Sequence, residues 1–425
     1  MNSSKYLLFV IILLLVSTSV VFCKPNKIKQ IDQFITQFVK NNQFSGEVLV
    51  SENGKVVYEK AFGLANADYK IPNQLNTRIG IASITKYMTV VILNRLIESG
   101  KISPADKLSK YIPDFPEGDK ITIEMLAKHR SGIQHRVMPP EAESLGYSSA
   151  EFIEKVKLSK LAFEPGTKFL YSSAGFAVLA RCFEIASGRT YPELLQEFVL
   201  TPAEMTDSLN FNSEAPMERR ANDYFLTPNG YTNAALKDYS FLNGAGSVFS
   251  TAKDVYKFGN AVLDGKFGEV TKTSLVGEKN LNGSGSTNGH RSYFEIEKNK
   301  KYGYVLLSNV ASGAFDLISL GISEILQDKE LTVKGAPNPK FISLSNDELK
   351  GFLGRYRRSD GLGEYEMRLR NGSLFAGDIQ LYPVGKECFF EYKFFGEACF
   401  VREETGKIKG ISWKGFNFDL TWVKQ

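Results

Sequence analysis

Histidine is scarce in this 425-residue chain, where His129, His135 and His290 are the three present. None stands at a metal-ligand spacing from another, so no metal centre is expected, and no cofactor motif is present either. Cysteine is scarce as well. Of the four, Cys23 sits in the apolar N-terminal stretch and Cys182 stands in a helical pattern, as core. Cys388 and Cys399 flank the aromatic run Phe389–Phe395, which reads as a hairpin. An oxidising compartment would permit a bridge between them, although connectivity is not fixed by sequence. An excess of one charge is missing too: the formal net charge is +5 with no basic run, which argues against a nucleic-acid partner. Internal repeats, low-complexity tracts, a phosphate loop and a Gly-x-Ser-x-Gly elbow are all absent from the sequence.

Long apolar runs are confined to the N-terminus. Lys5 followed by Leu7 to Val16 has the order of a secretory signal, expected over residues 1–23. Its apolar core is short for a span of ~20 residues, so no stable transmembrane anchor is expected after cleavage. Phe22 stands where a lipoprotein signal wants a small residue, which weighs against lipid anchoring at Cys23. Export, to a periplasm or the medium, is the expectation.

The remaining composition is that of a globular protein, and its length suits one large domain and a smaller one. Ile28, Ile31, Ile35 and Phe38 recur at helical spacing, predicting a helix over 27–42. Two β-rich runs, 46–50 and 55–59, flank Asn53-Gly54 and predict a hairpin. Helices are expected behind Ser83, over 121–129, from 173 to 186, over 191–200, 251–263 and 313–326. Gly283 to Asn288 reads as a small-residue turn feeding strands at 289–297 and 302–309. The interval 209–245 has little periodicity and is expected to wrap the surface near a site. After Pro337-Asn338-Pro339 come short alternating runs with turns at Asn371-Gly372 and Thr405-Gly406. The expected fold class is therefore α+β: an antiparallel sheet flanked by helices, with a helical subdomain. The expected division is a large α+β domain over 24–335 and an all-β C-terminal domain over 343–425.

Chemistry concentrates between Arg78 and Lys86. If Ser83 opens a helix, Ser83 and Lys86 share a face about one turn apart. The free N–H groups there favour an oxyanion, and a neutral amine beside a hydroxyl can take its proton. The pattern alone is weak, since Ser250-Thr251-Ala252-Lys253 also fits it. That second instance reads as an ordinary helix N-cap.

Context separates the two. Ile81-Ala82-Ser83-Ile84-Thr85-Lys86, the helix ending His129-Arg130-Ser131-Gly132, Pro165-Gly166-Thr167 before Tyr171-Ser172-Ser173, and Gly246 to Asp254 follow in order. Together they resemble the penicillin-recognising serine hydrolases, in the branch of class C β-lactamases and D-alanyl-D-alanine carboxypeptidases. The resemblance covers residues 45–325 and implies a β-lactamase/transpeptidase-like fold acting through an acyl-enzyme. It implies Ser83 as nucleophile, Lys86 as base and Tyr171 as partner of nucleophile and leaving group. Ser173 stands where that family has Asn. Ser284, Gly285 and Ser286 match the family's third motif, the Ser286 N–H completing an oxyanion hole with that of Ser83. Gly283 falls where the family has Lys or His, so the cation that would hold a substrate carboxylate is missing. The implied substrate is a small-molecule or peptide acyl compound, handled by an esterase or peptidase. A true β-lactamase or D-Ala-D-Ala carboxypeptidase, and a non-catalytic binding protein of the same fold, are the alternatives. His129 reads as a structural hydrogen-bonder, and His290 as a residue lining the cleft. The C-terminal part resembles the small β-barrel modules behind many such hydrolases.

Overall fold

The computed structural model describes residues 26–425. The expected signal segment, with Cys23, lies outside them. The chain enters through α1 (Lys27–Lys40), capped by Asn26, whose side chain accepts from the N–H groups of Ile28 and Lys29. Its buried stripe is Ile31, Phe34, Ile35 and Phe38, the helical spacing anticipated from sequence. Strands β1 (Gly46–Glu52) and β2 (Lys55–Phe62) then pair antiparallel. Asn53 and Gly54 join them at φ of 50° and 75°, the left-handed pair a tight hairpin needs.

The chain then leaves the sheet for a long helical excursion. It includes α2 (Thr85–Glu98), α3 (Ser173–Ser187) and α4 (Ala252–Leu263). It returns as β3 (Asn280–Ser286), β4 (Arg291–Glu297) and β5 (Tyr302–Ser308), followed by α5 (Ala314–Leu326). The sheet order is β3-β4-β5-β1-β2, antiparallel throughout, so the first strand sits beside the last and β3 is an edge. Alternation divides the core in two. Val48, Val50 and Leu306 face α1 and α5, whereas Leu49, Val305 and Phe294 face Met88 of α2 and Val255 of α4.

Three local expectations need correction. Gly283 to Ser286 is strand, and only residues 287–290 turn. Glycine and serine have little strand propensity, and pairing with β4 overrides that. The N-cap of α4 is Thr251, whose side chain accepts from Asp254 N–H; Ser250 ends the preceding strand. The 209–245 interval holds a hairpin, Tyr224–Thr227 with Gly230–Asn233, and sends Lys237 and Phe241 inward.

Beyond the Asn346–Lys350 helix, eight strands from Gly354–Arg358 to Asp419–Lys424 close into a barrel. Tyr356, Phe389, Phe400 and Trp413 fill its core. Cys388 and Cys399 stand directly opposite on paired strands and are joined as a disulfide. The barrel is seated on the sheet layer: Phe390, Tyr392 and Phe395 enter the core under α1 and α5. Gly313 donates to the Tyr392 carbonyl at 2.8 Å, and a Cβ there would stand 2.5 Å from the carbonyl carbon of Phe394. No helix of the described residues is long and apolar enough to cross a membrane.

Candidate active site

Ser83 lies in a 3-10 turn, Ala82–Ile84, that runs directly into α2. Ala82 before it takes φ of 46°, a left-handed conformation costly for a residue with a Cβ. That turn aims the half-buried Ser83 side chain into a cavity of about 1100 Å³. As a leading residue of the helix, Ser83 has an N–H with no intrahelical partner.

Lys86, one turn on, is 5% exposed. Its Nζ lies 3.3 Å from Ser83 Oγ, 3.2 Å from Ser173 Oγ and 2.6 Å from the Ala245 carbonyl. No carboxylate reaches it among the described residues, and burial pulls its pKa down to about 7. A neutral amine has two protons and one lone pair. With its protons on Ala245 and Ser173, the lone pair is left for Ser83.

Tyr171 precedes α3, whose N-cap Ser172 accepts from Gly175 N–H. Its Oη donates to Ser83 Oγ at 2.7 Å. Burial raises the phenol's pKa, with the hydrogen bonds to Ser83 and Ser173 pulling the other way. Lys86 does not make Tyr171 a phenolate here: the phenol stays protonated, with Lys86 Nζ 4.9 Å from its ring centre. His129 accepts from Ser172 N–H at 3.1 Å and packs on the Tyr171 ring at 4.6 Å, fixing it from behind. Burial, then the nearby Lys86, lower its pKa to about 4, so it remains neutral.

The opposite wall is the edge strand β3. Gly285 packs so closely that a Cβ there would lie 2.3 Å from the Ile81 carbonyl and 3.0 Å from Ser83 N. The β3–β4 hairpin closes with Thr287 N–H on the His290 carbonyl, and Lys298 N–H binds the Lys279 carbonyl. Alternation of the ladder then leaves the N–H groups of Ser284 and Ser286 on the free edge. The Ser284 and Ser286 side chains face the cavity from the other side of the strand, without a hydrogen bond to Ser83, Lys86 or Tyr171.

The expected role of His290 does not hold, whereas the reading of the Ser250 segment as a helix start rather than a nucleophile does. His290 is fully buried, accepting from Gly80 N–H at 2.8 Å with Nε2 2.7 Å from Asp223 Oδ1, and lines no cleft. Ser250 is fully buried, shares a hydrogen bond with Ser208, and has Lys253 turned out to solvent.

Sequence reasoning missed the upper wall. His135 accepts from Ser173 N–H at 3.2 Å and packs 5.3 Å from the Tyr171 ring. Lys237 and Glu143, both buried, form a 2.6 Å ion pair in the cavity wall. Arg136 lines the same space, is exposed, and has no ion pair among the described residues. Only the proximity of Arg136 to the His129 motif hinted at it; Lys237 and Glu143 carry no motif.

Residues 31–322 match the family model described as Beta-lactamase. PbpX of Bacillus subtilis (strain 168), which carries a penicillin-binding-protein name, is 30% identical over 242 residues, covering 56% of this chain and 61% of its own. Teichoic acid D-alanine hydrolase of Staphylococcus aureus (strain MRSA252) is 28% identical, covering 55% and 57%. The chain thus spans about three fifths of the length of these relatives. Among solved structures, the octameric penicillin-binding protein homologue from Pyrococcus abyssi aligns with a TM-score of 0.62 at 20% identity, over 93% of this chain and 99% of that one.

Proposed function

The chain belongs to the beta-lactamase family, and on that premise we propose that it is an exported serine hydrolase of esterase or peptidase type. The observation that carries this reading is the convergence of Tyr171 Oη and Lys86 Nζ on Ser83 Oγ. Ser83 Oγ attacks the acyl carbon as its proton passes to neutral Lys86. The oxyanion forms between the N–H groups of Ser83 and Ser286. Tyr171 gives its proton to the departing oxygen or nitrogen and is refilled from Lys86. Water then attacks the acyl-enzyme along the reverse proton path and releases the acid. Ser173 holds the amine by its hydroxyl. Residues 24–335 carry this chemistry, and 343–425 form an accessory domain.

The substrate we assign is an ester or amide whose recognition does not depend on a carboxylate at Gly283. Labelling with a fluorophosphonate, beside a penicillin probe, tests the reading. One label per chain on Ser83, lost in Ser83→Ala, is the expected result. Labelling that persists in Ser83→Ala, or none in the folded wild-type protein, overturns it.

A further inference from the structure

The cavity does not end at Ser83. It continues around the β3 edge onto the outer face of the sheet, past Tyr293 and Glu295 of β4 and Tyr304 of β5. Phe315 of α5 and Phe416, from a barrel loop, close it. Cross-strand partners share a face: Ser284 stands opposite Tyr293 and Asn282 opposite Glu295, so the groove is continuous with the Ser83 cleft.

Glu295 is 7% exposed. Its two oxygens accept from Tyr293 Oη at 2.9 Å and Tyr302 Oη at 3.1 Å. A carboxylate offers about four lone-pair positions, so capacity remains. No Lys, Arg or His pairs with it among the described residues. Arg291, on the same strand face, is committed to Asp316 at 2.6 Å and lies over the Phe315 ring. Buried carboxylates are normally matched by a cation, and aromatic faces attract one. Here the acid and the rings line an open lobe.

We propose that this second lobe binds an organic ammonium group, held by the Glu295 carboxylate and the rings of Tyr293 and Phe416. As a subsite of the Ser83 cleft it rests on the hydrolase reading; as a binding site it does not. Glu295 faces Asn282, three residues along β3 from Gly285, or roughly 10 Å at ~3.3 Å per residue. A substrate with its amine about that far from the scissile carbonyl fills both lobes.

Calorimetry on the full chain tests this, with choline as the probe and 3,3-dimethylbutan-1-ol as its uncharged isostere. Ser83→Ala serves as the background, so that no turnover intervenes. Choline is expected to saturate one site and the isostere to bind at least about ten-fold more weakly. Glu295→Gln should bring choline down to the isostere's level, and Phe416→Ala should weaken it several-fold. Absent saturation by choline, equal affinity for the isostere, or unchanged affinity in Glu295→Gln overturns the site. If Glu295→Gln does not fold by circular dichroism, an unchanged affinity in Phe416→Ala overturns it instead. Fluorophosphonate labelling reads Ser83 separately: failed labelling with choline binding intact would remove the hydrolase and leave the ammonium site.

Discussion

Tyr87 occupies the space that a side chain on Gly283 would need. A Cβ at 283 would stand 3.0 Å from Tyr87 Cε2 and 2.7 Å from Phe294 Cε1. Tyr87 Oη, in turn, donates to the Asn282 carbonyl at 2.8 Å, on the free edge of β3. Gly283 has no positive φ, so sterics rather than backbone conformation exclude a side chain. The missing cation follows from the Phe294 and Tyr87 rings together, Phe294 being the nearer. Gly283→Lys should therefore lower stability by about 1–3 kcal/mol through overpacking and leave β-lactam turnover unimproved. Tyr87→Ala in the same chain should recover part of the loss. Urea unfolding checks both; an equally stable Gly283→Lys protein contradicts the account.

Ser83→Ala should lower esterase activity at least about a thousand-fold. Ser250→Ala should retain most activity, since Ser250 is buried against Ser208 and losing that hydrogen bond costs about 1 kcal/mol. Initial rates with a chromogenic ester at matched folded protein decide it. Equal losses would mean that the wrong serine has been identified.

Lys86 sets the pH dependence. With its pKa brought to about 7 by burial, the acylation rate should rise through pH 7 and level off above it. The unfolded chain keeps this proton to ~10.4. Between those values it binds more protons than the folded chain, so the group's effect on stability improves as pH rises. The burial penalty is felt in full below about pH 7. Lys86→Met should abolish activity and flatten that slope. A rate profile with no acidic limb near neutrality would refute the role.

Because Lys86 and Tyr171 meet on one oxygen, removing either should cost nearly as much rate as removing both. Additive losses in a double-mutant cycle would mean two independent functions.

The cations remaining near Ser83 differ in availability: Lys237 is spent on Glu143, and Arg136 has no ion pair among the described residues. A neutral short ester should be turned over better than a chromogenic cephalosporin. Whatever cephalosporin hydrolysis occurs should fall ten- to a hundred-fold in Arg136→Ala, the worth of a charge-assisted hydrogen bond at about 1.5–3 kcal/mol. Efficient cephalosporin turnover unaffected by Arg136→Ala would show that another group holds the carboxylate.

Asn53-Gly54 was legible because a two-residue turn demands φ > 0 at both positions, and few residue pairs supply it. The α1 stripe was legible because one face meets one layer. Ser83, Lys86, Tyr171 and Ser173 were legible as ordered segments, and the structure brings them together. Asn280–Ser286 was not, since its strand character comes from the partner β4 rather than from its own residues. His290 was misjudged because adjacency in sequence to an edge strand says nothing of the face it turns to. The Glu143–Lys237 pair was invisible because its members meet from 94 positions apart in the chain. Glu295 has near neighbours in sequence as partners, but its place in the cavity comes from the sheet and the barrel loop packed beside it.

The place of β1 between β5 and β2 also has a temporal side. Its partner β5 pairs Tyr302 with Glu52, a separation of 250 positions. At synthesis rates of ~5–20 residues per second, roughly 12–50 s pass before that partner exists. A two-stranded hairpin is marginal alone; α1 and then α2 can reach its two faces, but the edge of β1 that β5 pairs stays open until β5 is made. Any fragment ending before Ser308 should lack a closed core, and ribosome-bound chains of that length should stay protease-sensitive until β5 emerges. Folding of this sheet is thus a late event, timed by its last strand rather than begun by its first.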